Sequence, residues 1–127
     1  MPSAKNLKVM VVDDQQTMRG LARQCLKRMG IINVSLAADG EAALQQLQTA
    51  KYDVIISDLN MPGMDGLELA EKVKAHPVLK QTPFLLATSE MFREKAEGET
   101  VDAFVAKPFS VGDLRSAMEG QFGEAIS

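Results

Sequence analysis

The sequence lacks the features that stabilise a small secreted domain or a membrane segment. Cys25 is the single cysteine among 127 residues, so no disulfide can form within the chain. Residues 1–6 lack the apolar core of a secretory signal, and no apolar run reaches the roughly 20 residues that span a bilayer. We therefore expect a cytoplasmic protein that has no membrane partner.

An excess of positive charge is also absent. The chain has 14 Lys and Arg residues against 17 Asp and Glu residues, which gives a formal net charge of −3. Nucleic acids and anionic membranes bind basic surfaces, so we expect no nucleic-acid partner. Because the length suits one ordinary domain, we predict a single domain over residues 1–127 with no output domain attached.

Short apolar runs alternate with amphipathic helical windows along the chain. This alternation predicts an α/β domain with a parallel sheet covered by helices on both faces. Asp39 and Ser110 are predicted N-caps of the second and last helices, and the second helix is predicted to run to about Ala50. The polar window from Glu90 to Thr100 predicts a short fourth helix. The five predicted strands lie near residues 9–12, 34–37, 54–57, 84–87 and 103–106.

Polar side chains follow four of these strands at the point where each strand ends. Asp13 and Asp14 follow the first strand, Asp58 the third, Thr88 the fourth and Lys107 the fifth. Open α/β folds bind ligands at the carboxyl edge of the sheet, where these groups converge. Clustered carboxylates repel unless a cation lies among them, and their hard oxygens suit Mg²⁺. The amine and the hydroxyl are then free to bind an anion such as a phosphoryl group.

Each of these residues has a simpler explanation when it is taken alone. A strand-end acid pair often caps a helix, Thr88 could cap the next helix, and Lys107 could be a surface lysine. Coincidence explains the combination poorly, because every polar group that follows these strands suits one phosphoryl site.

Four segments together resemble the receiver domain of two-component response regulators, in particular the CheY-like, single-domain chemotaxis regulators. The resemblance covers essentially the whole chain. It implies a doubly wound, flavodoxin-like fold with a five-stranded parallel sheet in the order 2-1-3-4-5 and five helices. The segments are residues 11–14 (VVDD), residues 57–66 (SDLNMPGMDG), Thr88 and residues 107–109 (KPF).

The resemblance also implies the chemistry of the site. Asp58 would be the phosphoacceptor that attacks a phosphohistidine of a kinase. Asp14 and Asp58 would hold Mg²⁺ together with the main-chain carbonyl of Asn60, and Asp13 would do so directly or through water. Lys107 would pair with the phosphoryl group.

A conformational switch is implied as well. Thr88 would hydrogen-bond to the phosphoryl group and shift when it arrives, and Phe104 would turn inward behind it. The family's Lys-Pro bond is usually cis, which implies the same for Lys107-Pro108. Such a receiver catalyses its own phosphotransfer and autodephosphorylation without being an enzyme of the usual kind.

The implied partners are a histidine kinase of the chemotaxis type and, on the output side, a flagellar motor switch protein or a phosphatase, with the chain acting as a monomer. Two departures concern this output side. Phe104 lacks the hydroxyl of the tyrosine typical of chemotaxis regulators. The interval from Thr88 to Lys107 is about one helical turn shorter than usual, which shortens the fourth helix.

Three other functions compete with motor control. The chain could instead act as a phosphate sink or as a phosphorelay receiver in another pathway. A hydrolase of the haloacid-dehalogenase type also uses an aspartyl nucleophile, but it needs a general acid two residues later, where Asn60 stands. A pure interaction module that never takes phosphate would have no use for the complete site.

Overall fold

The computed structural model describes residues 3–89 and 101–127. A five-stranded sheet is flanked by four α-helices in this part of the chain, and a short 3₁₀ turn precedes the first strand. In chain order the elements are β1 (Lys8–Val12), α1 (Gln16–Arg28), β2 (Asn33–Ala37), α2 (Gly40–Leu47), β3 (Val54–Asp58), α3 (Gly66–Ala75), β4 (Phe84–Thr88), β5 (Ala103–Ala106) and α4 (Val111–Phe122).

The sheet has the strand order that the family resemblance implies. All neighbouring strands are parallel, in the order β2-β1-β3-β4-β5. The carboxyl ends of the strands therefore lie along one edge, which we call the site edge, and their amino ends lie along the opposite edge. The predicted parallel α/β fold is confirmed.

The three central strands, β1, β3 and β4, are buried on both faces, which explains why they read as continuous apolar runs. Alternate residues of each strand point to opposite faces and form two hydrophobic cores. One core packs against α1 and α4 and contains the buried thiol of Cys25. The other core packs against α2 and α3.

Polar side chains cap three helices at their N-termini. Asp39 Oδ1 accepts a hydrogen bond from the main-chain N–H of Ala42 at 2.8 Å, and Ser110 Oγ accepts one from Asp113 at 3.1 Å. Both caps were predicted. Asp65 Oδ1 caps α3 in the same way. This helix therefore begins directly after the loop that follows β3.

The predicted end of the second helix is wrong. The helix ends at Leu47, not near Ala50. The main-chain N–H and the hydroxyl of Thr49 both donate to the carbonyl of Gln46, at 3.1 and 2.8 Å, which closes a turn in place of further helix.

The fourth helix expected between residues 90 and 100 lies outside the described residues. Within the described ranges, no helix combines the length and the apolar composition needed to cross a bilayer.

Candidate functional site

The adjacent carboxylates at the end of β1 lie in different environments. Asp13 is buried, with 1% of its surface exposed, whereas Asp14 is exposed to solvent. The main chain of Asp13 extends the pairing of β1 with β2, because its N–H donates to the carbonyl of Ala37 at 3.0 Å. Its Oδ1 also accepts a hydrogen bond from the N–H of Gln15 at 2.9 Å. One carboxylate is thus fixed beneath the site edge while the other faces water.

Asp58 ends β3, the central strand, and 8% of its surface is exposed. One of its carboxylate oxygens, Oδ1, accepts hydrogen bonds from the N–H of Leu59 at 2.9 Å and from Nζ of Lys107 at 3.0 Å. Within the described residues the other oxygen accepts none. Two donors therefore fix the carboxylate and leave one oxygen available to react.

Lys107 binds both buried carboxylates at once. Its Nζ lies 3.2 Å from Oδ2 of Asp13 and 3.0 Å from Oδ1 of Asp58. In this structure the amine pairs with the carboxylates, and its expected role toward an anion stays a prediction. The carboxylates are the nearest negative charges, so they bind the amine first. The peptide bond from Lys107 to Pro108 is cis, as the resemblance implies.

The electrostatics of the cluster favour added positive charge. Burial raises the pKa of the Asp58 carboxyl above its ordinary value, the hydrogen bond from Lys107 opposes this effect, and the charge of Asp13 adds to it. For Lys107, burial lowers the pKa, but the hydrogen bond and charge of Asp58 and those of Asp13 outweigh burial and raise it. The lysine stays protonated, yet one ammonium does not neutralise the carboxylates around it.

Thr88 and Phe104 lie on neighbouring strands. Thr88 ends β4, is 4% exposed, and its hydroxyl donates to the carbonyl of Ser89 at 3.3 Å. The expected role of the hydroxyl toward a phosphoryl group would require it to leave this long hydrogen bond. Phe104 pairs in register with Leu86 and is half-buried against the core on the α2 and α3 side. The switch that links the two residues stays a prediction.

Two residues near the site were given no role from the sequence. Arg19 Nη1 donates to the carbonyl of Asp13 at 2.7 Å and holds the end of β1 against α1. Gly66 lies against the end of β3, where a Cβ atom would overlap the carbonyl of Asp58. A glycine that opens a helix soon after a strand is the signal that could have identified the close approach at Gly66.

Asp13, Asp14 and Asp58 form a group that could hold a metal ion. Each offers one carboxylate oxygen, and these three atoms lie within 4.8 Å of one another. Hard oxygen ligands on a partly open surface suit Mg²⁺, which keeps several of its waters. Asn60 is exposed two residues after Asp58, and the role expected for its carbonyl stays a prediction.

Comparison with known proteins gives a consistent result. Residues 9–119 match the family model of the response regulator receiver domain. The chain is 36% identical over 121 residues to the chemotaxis protein CheY-3 of Vibrio cholerae, which covers 93% of each chain. It is also 36% identical to the chemotaxis protein CheY of Pseudomonas aeruginosa over 119 residues, or 91% of this chain and 96% of that one.

The solved structures agree with this match. The chemotaxis response regulator CheY4 of Vibrio cholerae superposes with a TM-score of 0.78 at 34% identity, covering 91% of this chain and 98% of that one. The chain belongs to the response regulator receiver domain family. Within that family it is CheY-like, as its similarity to chemotaxis regulators over most of its length shows.

Proposed function

We propose that this CheY-like receiver accepts a phosphoryl group on Asp58 from a kinase phosphohistidine in a Mg²⁺-dependent reaction. The modified domain then changes its output face and binds a partner in chemotaxis. The candidate partners are a flagellar motor switch protein and a phosphatase. The similarity to chemotaxis proteins over most of the chain supports this pathway.

The observation that carries the proposal is the arrangement around Asp58. Lys107 and the N–H of Leu59 hold one carboxylate oxygen and leave the other without a hydrogen bond among the described residues. A carboxylate that is fixed in direction and partly desolvated is a better nucleophile than one solvated by water on all sides. Asp13 and Asp14 stand beside it and cannot be approached by an anion unless their charge is balanced.

The transfer can be written from these residues. The free oxygen of Asp58 attacks the phosphorus in line with the phosphorus–nitrogen bond of phosphohistidine. The electron pair of that bond goes to the imidazole, which leaves as the neutral ring once it carries a proton. Lys107 moves from the carboxylates to an oxygen of the transferred group, where its charge stabilises the transition state. Attack by water on the acyl phosphate later returns the carboxylate and releases inorganic phosphate.

Magnesium fits the same arrangement. When bound, Mg²⁺ would neutralise part of the negative charge that builds up on the phosphoryl oxygens. Asp13, Asp14 and Asp58 would hold it, with the main-chain carbonyl of Asn60 as a further ligand. A bound cation would also relieve the repulsion between the carboxylates, so that Lys107 would be free to leave them.

The conformational response starts at Thr88. A phosphoryl oxygen is a stronger acceptor than the carbonyl of Ser89, so the Thr88 hydroxyl would move toward it. Phe104 on the neighbouring strand is half-buried and would fill the space that this shift opens. Because the phosphoryl group binds the two arrangements unequally, it shifts an existing equilibrium.

The test of this function is phosphoryl uptake from acetyl phosphate with Mg²⁺, followed by intact mass. We expect the wild-type chain to gain one phosphoryl group and Asp58→Asn to gain none, since an amide is not a nucleophile here. Asp53→Asn is the matched control, because Asp53 precedes the same strand at the opposite edge and should not affect uptake. Full labelling of Asp58→Asn would refute the proposal. Lys107→Ala should be labelled more slowly than wild type.

A further inference from the structure

A second lysine–carboxylate pair lies at the other end of β5. Lys74 Nζ, from α3, is 2.6 Å from Oδ2 of Asp102, the residue that precedes this strand. The same oxygen accepts a hydrogen bond from the N–H of Phe84 at 2.7 Å, and Lys74 also donates to the carbonyl of Thr82 at 3.0 Å. One ion pair therefore connects the end of α3 with the beginnings of β4 and β5.

The main chain of Asp102 adds two further connections. Its N–H donates to the carbonyl of Phe84 at 2.9 Å, and its carbonyl accepts a hydrogen bond from Nε2 of Gln121 at 3.2 Å. Gln121 belongs to α4 and Lys74 to α3, and these helices cover opposite faces of the sheet. Asp102 is thus bound from both faces.

This anchoring matters because β5 is an edge strand. In residues 3–89 and 101–127 it pairs with β4 alone. At the site edge it continues into Lys107, whose N–H donates to the carbonyl of Thr88 at 3.2 Å and whose amine binds the two buried carboxylates. The strand is consequently held by a charged residue at each end, and Phe104 lies between them.

We propose that the Asp102–Lys74 pair is the fixed anchor of β5 that lets a change at Lys107 reach Phe104. The proposal rests on the function proposed for Asp58. When Lys107 turns to a phosphoryl group, an edge strand that is loose at its far end can slide or fray and absorb the displacement. A strand that is bound at its far end passes the displacement to its side chains. Lys74 and Asp102 are positioning residues and touch none of the reacting atoms.

The first test uses the unmodified protein and needs no phosphoryl chemistry. We expect Lys74→Met to accelerate amide hydrogen exchange in β5 about twofold relative to wild type, with no larger change in β1 and β3. Lys72→Met is the matched control, since Lys72 is exposed on the same helix and its side chain makes no hydrogen bond or ion pair within the described residues. Unchanged exchange in β5 would overturn the anchor.

The second test measures the response of Phe104 to beryllofluoride, a mimic of the phosphoryl group. The chain is labelled with fluorophenylalanine. The spectrum of Phe104→Leu lacks one ¹⁹F signal of the wild-type spectrum, and this signal is assigned to Phe104. At equal occupancy of Asp58, we expect the Phe104 response in Lys74→Met to fall to about half of wild type or less, and to stay complete in Lys72→Met. A purely structural pair would lower thermal stability without reducing this response, so a complete response in Lys74→Met overturns the proposal.

If Lys74→Met folds poorly, a milder variant can be used for the same two measurements. Asp102→Asn keeps an oxygen for the N–H of Phe84 and loses only the charge, so it should show the same two effects. Combining it with Lys74→Met should add little, because both changes break one pair. If wild-type Asp58 took up no beryllofluoride, the proposed function would fail, and the exchange experiment would still decide whether the anchor exists.

Discussion

At each end of β5 a lysine pairs with carboxylate, but the ratio of positive to negative charge differs between the two ends. At the site edge, Lys107 faces Asp13 and Asp58, whose side chains are only 2% and 10% exposed. At the opposite edge, Asp102 is the one carboxylate that pairs with Lys74 among residues 3–89 and 101–127, and the side chain of Asp102 is 33% exposed. One amine therefore pairs with two buried carboxylates at the first end, and one amine pairs with a single, partly exposed carboxylate at the second.

This difference separates a reactive cluster from a structural one. The site cluster keeps uncompensated negative charge, because Asp14 adds a third carboxylate and burial weakens the screening by water. Binding of a cation and transfer of the Lys107 amine to a new anion are therefore both favourable for this cluster. In the pair of Lys74 and Asp102 one positive charge matches one negative charge. One carboxylate oxygen of Asp102 also accepts a hydrogen bond from a main-chain N–H, so both side chains tend to keep their positions.

The largest expected effect comes from crowding the site edge. Gly66→Ala places a Cβ atom against the carbonyl of Asp58, and we expect a loss of about 3 kcal/mol in the free energy of unfolding. Gly20→Ala is the control, since a Cβ there meets nothing within 4 Å and replaces a helical glycine. It should stabilise the chain by up to about 1 kcal/mol. Chemical denaturation of both variants measures this contrast, and equal stabilities would contradict it.

Magnesium should distinguish the two ends of the strand. At a hundredfold excess over its Kd, Mg²⁺ should stabilise the wild-type chain by about 2.7 kcal/mol through mass action. Asp14→Ala should remove most of this gain, whereas Asp102→Asn should keep it, because Asp102 lies at the other edge. Thermal unfolding with Mg²⁺ or with a chelator measures the effect. An unchanged gain in Asp14→Ala would show that the metal site is elsewhere.

The sequence predicted the parts of the structure that depend on local patterns. Five apolar runs became five parallel strands, and Asp39 and Ser110 cap their helices as expected. The convergence of Asp58 and Lys107 could also be predicted, because parallel strands bring their carboxyl ends to one edge.

The remaining features depend on contacts between residues that are distant in sequence. Nothing in an acid pair indicates that Asp13 is buried while Asp14 is exposed, since this follows from how α1 leaves the strand. The pairing of Lys74 with Asp102 joins residues 28 positions apart and has no periodic signal. The hydrogen bonds from Lys107 to the two carboxylates were not predicted, because the sequence indicates which groups lie close together but not which of them pair.

The raised pKa of Asp58 predicts a pH-dependent gain in Asp58→Asn. The folded protein binds this proton more tightly than the unfolded chain, so ionisation of Asp58 costs stability as the pH rises through its raised pKa. With a chelator present, we expect Asp58→Asn to be more stable at pH 7 by on the order of 1 kcal/mol. The gain should fade as the pH falls through the raised pKa and vanish by about pH 3, where the wild-type carboxyl is largely protonated in both states. A gain that is independent of pH would contradict this electrostatic explanation.

The smallest effect concerns the balanced pair. Lys74→Met should cost only about 0.5 kcal/mol in the free energy of unfolding, since partly exposed ion pairs near the surface contribute little. Lys72→Met should change stability by less. Denaturation in low and high salt checks the comparison, and the difference between the two variants should shrink in high salt. If Lys74→Met lost as much free energy of unfolding as Gly66→Ala, the pair of Asp102 and Lys74 would be essential to the stability of the whole fold.

The central claim is that the phosphoryl group is bound to Asp58, and its position can be measured directly. After treatment with acetyl phosphate and Mg²⁺, borohydride reduces an aspartyl phosphate to homoserine, which peptide mass spectrometry then locates. We predict homoserine at position 58 and at neither Asp13 nor Asp14. Homoserine at another aspartate, or a phosphoryl group that resists borohydride because it is bound to a hydroxyl or to His76, would contradict the account.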